Sequence, residues 1–228
     1  MTAQPAGPPL AWSLVVPVKV LARAKSRLAV LAGPHRPALA LAMAADTVAA
    51  ALACPEVARV LAVTDDLQAA QVLVGLGALV TSDEPGQGLN PALRHGAAIA
   101  AARWPGAGIA ALAADLPALR PAELGVGLRA AARWEHAFVP DASGSGTTLY
   151  AARPGAEFRP RFGPGSAQQH RACGAAEISL PGLAAHAVSK PGRPPGALGA
   201  GRSRGLAPHC GSTHRRRPGP RGGLVPGS

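Results

Sequence analysis

Three cations stand close together near the amino end of the chain: Lys19, Lys25 and Arg27, in the stretches Pro17-Val18-Lys19 and Ala24-Lys25-Ser26-Arg27-Leu28. Cations at this spacing suit a triphosphate, whose charge they neutralise while a guanidinium grips two oxygens at once. On charge alone, a solvated basic loop is the preferred reading of these three residues. The chain holds neither a Walker A sequence nor a GxGxxG, which excludes a P-loop enzyme and a standard dinucleotide binder.

A carboxylate, Asp115, follows the small-residue run GIAALAA and precedes Leu116-Pro117. A carboxylate ending an apolar strand is expensive to bury without a cation or hydrogen-bond donors. Magnesium, held by one or two carboxylates and completed by phosphate oxygens, is the common solution. Helix capping is the alternative, but the next helix signal, Pro121, lies too far along for Asp115 to serve it. Two further segments, Gly144-Ser145-Gly146-Thr147-Thr148 and Arg161-Phe162-Gly163-Pro164-Gly165-Ser166, combine glycines with hydroxyls. Together they offer an anion-binding surface, and singly each reads as an ordinary turn. Gly86-Gln87-Gly88-Leu89-Asn90 could present backbone amides and a helix start to a base edge or ribose. Asp65 and Asp66 could be catalytic, although capping accounts for them. The histidines form no spaced ligand set, and Cys54, inside a helical pattern, reads as a small core residue.

The elements that must position these residues alternate short apolar runs with longer Ala/Leu-rich stretches, as βαβ units do. Ser13–Val20 reads as a buried strand that should end near Pro17, because a central ladder position would not tolerate proline. A helix from about Pro37 to Ala53 follows, then a strand over Val57–Val63. Thr64-Asp65-Asp66 caps a helix over Leu67–Gly75, and a short strand spans Ala78–Thr81. Asn90-Pro91 reads as N-cap and first helical position of a helix reaching Trp104. Gly108–Ala114 is a strand, Pro121 opens a helix to about Arg133, and His136–Val139, Thr147–Ala152 and Ala176–Leu180 are later strands. Arg161–Gly174 reads as an irregular loop. This pattern favours a three-layer α/β fold with a mostly parallel sheet. In such sheets ligands sit outside the carboxyl ends of the strands, which would bring the cations to the crevice.

Apolar residues make up 48% of the 228 positions, so a core is available, built from Ala, Leu and Val because aromatics are only 3%. No run is long enough for a membrane helix and no secretory signal pattern is present, which points to a cytoplasmic protein. Three scattered cysteines exclude a disulfide framework and a CxxC knuckle. The formal charge of +11 is uneven: residues beyond 180 carry eight of the 23 Lys and Arg and none of the 12 acids. Those residues also hold 11 glycines and 8 prolines. We therefore expect one domain over residues 10–183 and a disordered basic tail over 184–228. Arg215-Arg216-Arg217 in that tail has no aromatic companion for base stacking, so it supports nonspecific phosphate affinity and no specific nucleic-acid partner.

Six pieces occur in order over roughly residues 12–183: PVKVLARAKSRLA, VLAVTDD, GQGLNPAL, LAADLPALRPAEL, GSGTTL and RFGPGSAQQHRACGAAE. In this order they resemble the 2-phospho-L-lactate / phosphoenolpyruvate guanylyltransferase family of coenzyme F420 biosynthesis. The resemblance implies a Rossmann-like, glycosyltransferase-A-like nucleotidyltransferase fold. It implies GTP at the first loop, with Lys19, Lys25 and Arg27 near the phosphates and Gly88 and Asn90 near the nucleoside. It places Mg2+ at Asp115, and the phosphate and carboxylate of phosphoenolpyruvate or 2-phospho-L-lactate at Thr147 (or, with the match moved by one residue, Thr148), Gly163 and Ser166.

The implied reaction is transfer of GMP from GTP to the acceptor's phosphate, with release of diphosphate. An acceptor phosphate is already ionised at neutral pH, so no Ser, Cys or His nucleophile is required, and catalysis is positioning plus electrostatics. The family continues past its Pro-Gly-Leu with an Asp-x-Asp-Thr-Pro-x-x-Leu segment that adds metal carboxylates. Here Pro181-Gly182-Leu183 runs into an acid-free Pro/Gly/Arg-rich stretch, as a shifted reading frame of a GC-rich gene would encode. The competing readings are another nucleotidyltransferase of the same fold, of molybdopterin or sugar-phosphate type, and an inactive nucleotide- or nucleic-acid-binding protein. The absence of a Gly-Gly-x-Ser-x-Arg opening argues against the first.

Overall fold

The computed structural model describes residues 10–19, 35–83, 86–180 and 182–183. They fall within one compact unit, Met1–Arg193. The expected basic loop carrying Lys25 and Arg27 and the expected tail over 184–228 lie outside the described residues.

The run Trp12–Pro17 forms β1, a β-branched and Leu-rich strand whose first five residues are buried. It sits in the middle of the sheet, paired in parallel with β2 (Val57–Val63) on one side and β4 (Gly108–Leu112) on the other. Burial on both faces explains why its sequence is continuously apolar. Pro17 takes the last place, opposite Val63, and the next residue closes the ladder with a bond from Val18 N–H to the Val63 carbonyl at 2.9 Å.

Seven strands form one sheet in the order β3-β2-β1-β4-β6-β5-β7, with β3 at Leu79–Thr81, β5 at His136–Pro140, β6 at Thr147–Ala152 and β7 at Ala176–Glu177. All neighbours are parallel except those of β6, which runs against both β4 and β5. The strand order reverses between β1 and β4, so a crevice opens at the carboxyl ends of these two strands.

Helices cover both faces. On one, α1 (Arg36–Leu52), α2 (Leu67–Gly75) and α4 (Pro121–Ala131) place Val48, Leu73, Leu124 and Leu128 against Leu14, Val16, Val60 and Leu112. On the other, α3 (Leu89–Arg103) sets Ala92, Leu93 and Ala97 against Val15, Val63 and Ala111. Gly96 lets this helix lie close to the sheet: a Cβ there would meet Val15 and Val63 methyls at 2.7 and 2.8 Å. A smaller cluster of Phe138, Tyr150, Ala167 and Ala175 lies beneath α5 (Ser166–Ala172). The expected three-layer, mostly parallel α/β architecture is the one observed.

The differences from expectation are local. Helix α3 begins one residue before Asn90, and its N-cap is Gly88 at φ 104°, a left-handed conformation suited to glycine. Asn90 lies inside the first turn because its carboxamide has another partner. The stretch read as irregular contains α5, whose seven residues are too few to show a helical period. The last strand covers Ala176–Glu177 and stops well short of Leu180.

Candidate active site

Several of the described chemistry-bearing residues reach the same rim of the sheet, and their strands explain why. Lys19 leaves the end of β1 and is exposed. Asp65 follows β2, Asp83 follows β3 and Asp115 follows β4. Because β6 is reversed, its first residue, Thr147, also stands at this rim, where Ala113 N–H bonds the Thr148 carbonyl at 3.1 Å.

Pro17, Val18, Lys19, Val63, Asp65, Asp83, Gly86, Gly88, Leu89 and Ala92 line a cleft of about 260 Å³. It joins Lys19, just past β1, to Gly86 and Gly88 ahead of α3. Asp65 and Asp66 divide their labour. Asp66 caps α2 by accepting from Ala69 N–H at 3.0 Å, whereas Asp65 accepts from Asp83 N–H at 2.8 Å and lines the cleft. Capping therefore accounts for Asp66 alone. One buried carboxylate oxygen of Asp83, Oδ1, has no hydrogen-bond partner among the described residues.

Asp115 is partly buried and is not among the residues lining the cleft. The loop carrying it is held by Thr47, a fully buried residue of α1. The Thr47 hydroxyl accepts from Leu116 N–H at 3.0 Å and donates to the Met43 carbonyl at 2.8 Å, with the Ala114 carbonyl at 3.4 Å. Among the described residues no three His, Cys, Asp or Glu side chains group as a metal cage. A single carboxylate nevertheless fits Mg2+ that keeps its waters and takes its remaining oxygens from nucleotide phosphates.

The second half of the rim is built around the turn between β5 and β6. Asp141 staples it by accepting from Gly146 N–H at 3.0 Å and from the Ser143 hydroxyl at 2.8 Å. Gly146 has no room for a Cβ, which would fall 2.3 Å from that carboxylate. Ala167 N–H of α5 bonds the Ser145 carbonyl, and Ser166 N–H bonds the Gly163 carbonyl, each at 3.2 Å. Thr147, Gly163 and Ser166 are thus brought together. The Ser166 hydroxyl is buried and has no partner among the described residues.

Asn90 joins the two halves. Its amide nitrogen donates to the Phe162 carbonyl at 2.9 Å, and its amide oxygen accepts from Phe162 N–H at 2.8 Å. Its side chain is committed to this clamp, which leaves only its backbone toward a nucleoside. Phe162 packs on the α3 cluster as well as the α5 cluster.

His170 was not picked out by the sequence because it belongs to no ligand spacing. It is buried, 3.0 Å by Nδ1 from the Thr147 hydroxyl, and its Nε2 accepts from Arg161 N–H at 3.0 Å. Burial first, and the Arg161 charge second, push its pKa down to about 4. Cys54 follows α1 and is buried, and burial pushes its thiol up to about 11, so it is no thiolate nucleophile at neutral pH.

The fold is that of a nucleotidyltransferase. The fold is shared with a crystal structure from Desulfovibrio desulfuricans G20 described as a nucleotide-diphospho-sugar transferase. The TM-score is 0.54 at 15% identity, over 73% of this chain and 79% of that one, a likeness of fold alone. The family described as Guanylyl transferase CofC like matches residues 12–176, and the chain belongs to that family. Its relatives include a phosphoenolpyruvate guanylyltransferase of Thermomonospora curvata, 57% identical over 209 residues, covering 92% of this chain and 91% of the relative. Another, of the same name, is from Streptomyces coelicolor: 60% identical over 170 residues, covering 74% and 80%. Among the described residues no helix is long and apolar enough to cross a membrane.

Proposed function

We propose that this chain transfers GMP from GTP to phosphoenolpyruvate, releasing diphosphate, as a cytoplasmic step in making coenzyme F420. The observation that carries the reading is the convergence of Lys19, Gly88, Asp115, Thr147 and Ser166 on one rim of the sheet. The relatives' shared name favours phosphoenolpyruvate over 2-phospho-L-lactate as the acceptor.

In this reading the nucleotide lies along the cleft, its phosphates toward Lys19 with Lys25 and Arg27, its nucleoside over the Gly88 turn. Asp65 is the carboxylate suited to guanine, which offers two adjacent donors, N1–H and N2–H, where adenine offers none in that arrangement. Thr147, Gly163 and Ser166 hold the acceptor. Its phosphate oxygen attacks the α-phosphorus in line; that P–O bond forms as the bond to the diphosphate breaks. Asp115 would hold Mg2+, which supplies charge neutralisation to the phosphates. The protein provides proximity and fixed charge, and no side-chain nucleophile is needed.

The domain spans residues 10–183 in this reading. We attribute the acid-free stretch after it to a shifted frame near residues 183–190, supported by its abrupt Pro/Gly/Arg composition. Tail peptides matched to an intact reading frame would overturn that attribution.

The test of function is diphosphate release from GTP with each acid in turn, with mass detection of the guanylylated product. Release with phosphoenolpyruvate, lost in Asp115→Ala and strongly reduced in Lys19→Ala, is the expected result. Release without any acid, or no release with either acid, overturns the reading.

A further inference from the structure

A backbone N–H can only donate. Arg161 N–H points at His170 Nε2 from 3.0 Å, so that nitrogen must carry a lone pair. The neutral ring then holds its proton on Nδ1, which lies 3.0 Å from Thr147 Oγ1. Protonation of Nε2 would set two donors against each other, and the ring's surroundings also oppose a charge. It stacks on Tyr150 with centroids 4.6 Å apart and meets Phe138 and Phe162 at 5.4 and 5.9 Å. Arg161 adds a like charge nearby.

We propose that His170 is a positioning residue that makes the Thr147 hydroxyl a committed donor toward the anionic group of the acceptor. The inference rests on the acceptor site of the preceding section and extends it. A threonine hydroxyl has one hydrogen and can otherwise turn it either way. With His170 Nδ1–H occupying an oxygen lone pair, the Thr147 hydrogen must point elsewhere, and among the described residues Thr147 has no other side-chain partner. An independent observation points the same way. Ser166, one turn before His170 on the same face of α5, buries a hydroxyl that has no partner among the described residues. Two hydroxyls, one with its hydrogen directed and one awaiting a partner, match an oxyanion and leave a neutral ligand poorly satisfied. A neutral histidine also keeps a titrating charge away from the phosphate.

Two substitutions separate the ring's two bonds, because an Asn amide reaches the Nδ1 position and a Gln amide the Nε2 position. His170→Asn retains a donor to Thr147, whereas His170→Gln retains the Arg161 contact and loses that donor. Calorimetry of the full chain with phosphoenolpyruvate should show His170→Asn within about threefold of wild type. His170→Gln should bind about 10- to 100-fold more weakly, as expected for a lost hydrogen bond to a charged group. GTP affinity should be unchanged in both. Thr147→Val should match His170→Gln, and the double variant should be no weaker than Thr147→Val alone. Imidazole nitrogen NMR of the wild type should show the Nδ1–H tautomer at pH 6.

Equal binding by His170→Gln and His170→Asn overturns the inference and leaves the acceptor reading standing, as does an Nε2–H or doubly protonated ring. Absence of phosphoenolpyruvate binding by the wild type overturns the acceptor reading, and the inference with it.

Discussion

Replacing Thr47 by Val removes one hydroxyl from the interior while keeping the side chain's shape. That hydroxyl accepts from Leu116 N–H at 3.0 Å in a fully buried setting. The valine leaves the amide unsatisfied, which costs about 1–3 kcal/mol. The Met43 carbonyl loses a second bond, at 2.8 Å, but remains in the α1 ladder, so its share is small. For a domain of this size, a loss of about 2 kcal/mol lowers the melting temperature by about 4–8 °C. Asp115 sits between the two residues that approach this hydroxyl, Ala114 and Leu116. Release of the loop should therefore also lower turnover, by about 10- to 100-fold for a displacement near 1 Å. Thr47→Ser is the control: it keeps the hydroxyl, loses one methyl worth about 1 kcal/mol, and should retain near-wild-type turnover. The assay is urea unfolding of both variants beside GTP- and phosphoenolpyruvate-dependent diphosphate release. Thr47→Val within about 0.5 kcal/mol of wild type and equally fast would refute the reasoning.

Gly96→Ala places a methyl against Val15 and Val63, and should destabilise by about 1–2 kcal/mol in urea even after alanine's helix advantage; a gain in stability would contradict that packing. Asn90→Ala breaks both bonds to Phe162, costing about 1–3 kcal/mol, and should speed chymotryptic cleavage at Phe162 while raising the KM for both substrates. The folded His170 titrates at about 4 against 6.5 when unconstrained, so between those values the unfolded chain binds more protons and stability falls as pH drops. Of the wild type's loss between pH 7 and pH 5, about 2 kcal/mol should come from this ring and be absent in His170→Gln; parallel urea curves for the two proteins would exclude it.

Periodicity revealed the long elements because a buried strand and an amphipathic helix leave different spacings over many residues. The strand Val57–Val63 and the helix Leu67–Gly75 are found at their expected boundaries. Short elements leave too few residues for a period, so α5 and the limits of β7 were invisible. Asn90 has the composition of an N-cap, but a partner 72 positions away outcompetes the local bond, and no local signal carries that distance. The same holds for His170, whose two partners come from β6 and the preceding loop. Asp65 and Asp66 look alike in sequence; only the place of β3 beside β2 gives one of them to the cleft.

The reversed strand has a consequence for redesign. In the proposed function, the residues assigned to the nucleotide hang from strand exits, whereas the Thr147 hydroxyl assigned to the acceptor opens a strand entrance, fed by the Asp141–Gly146 turn. Lengthening that turn would widen the pocket for a bulkier phosphorylated acid without shifting the ladder between β1 and β2. Under that assignment the two substrate preferences are separately evolvable, and a library confined to this turn is where new acceptors should be sought.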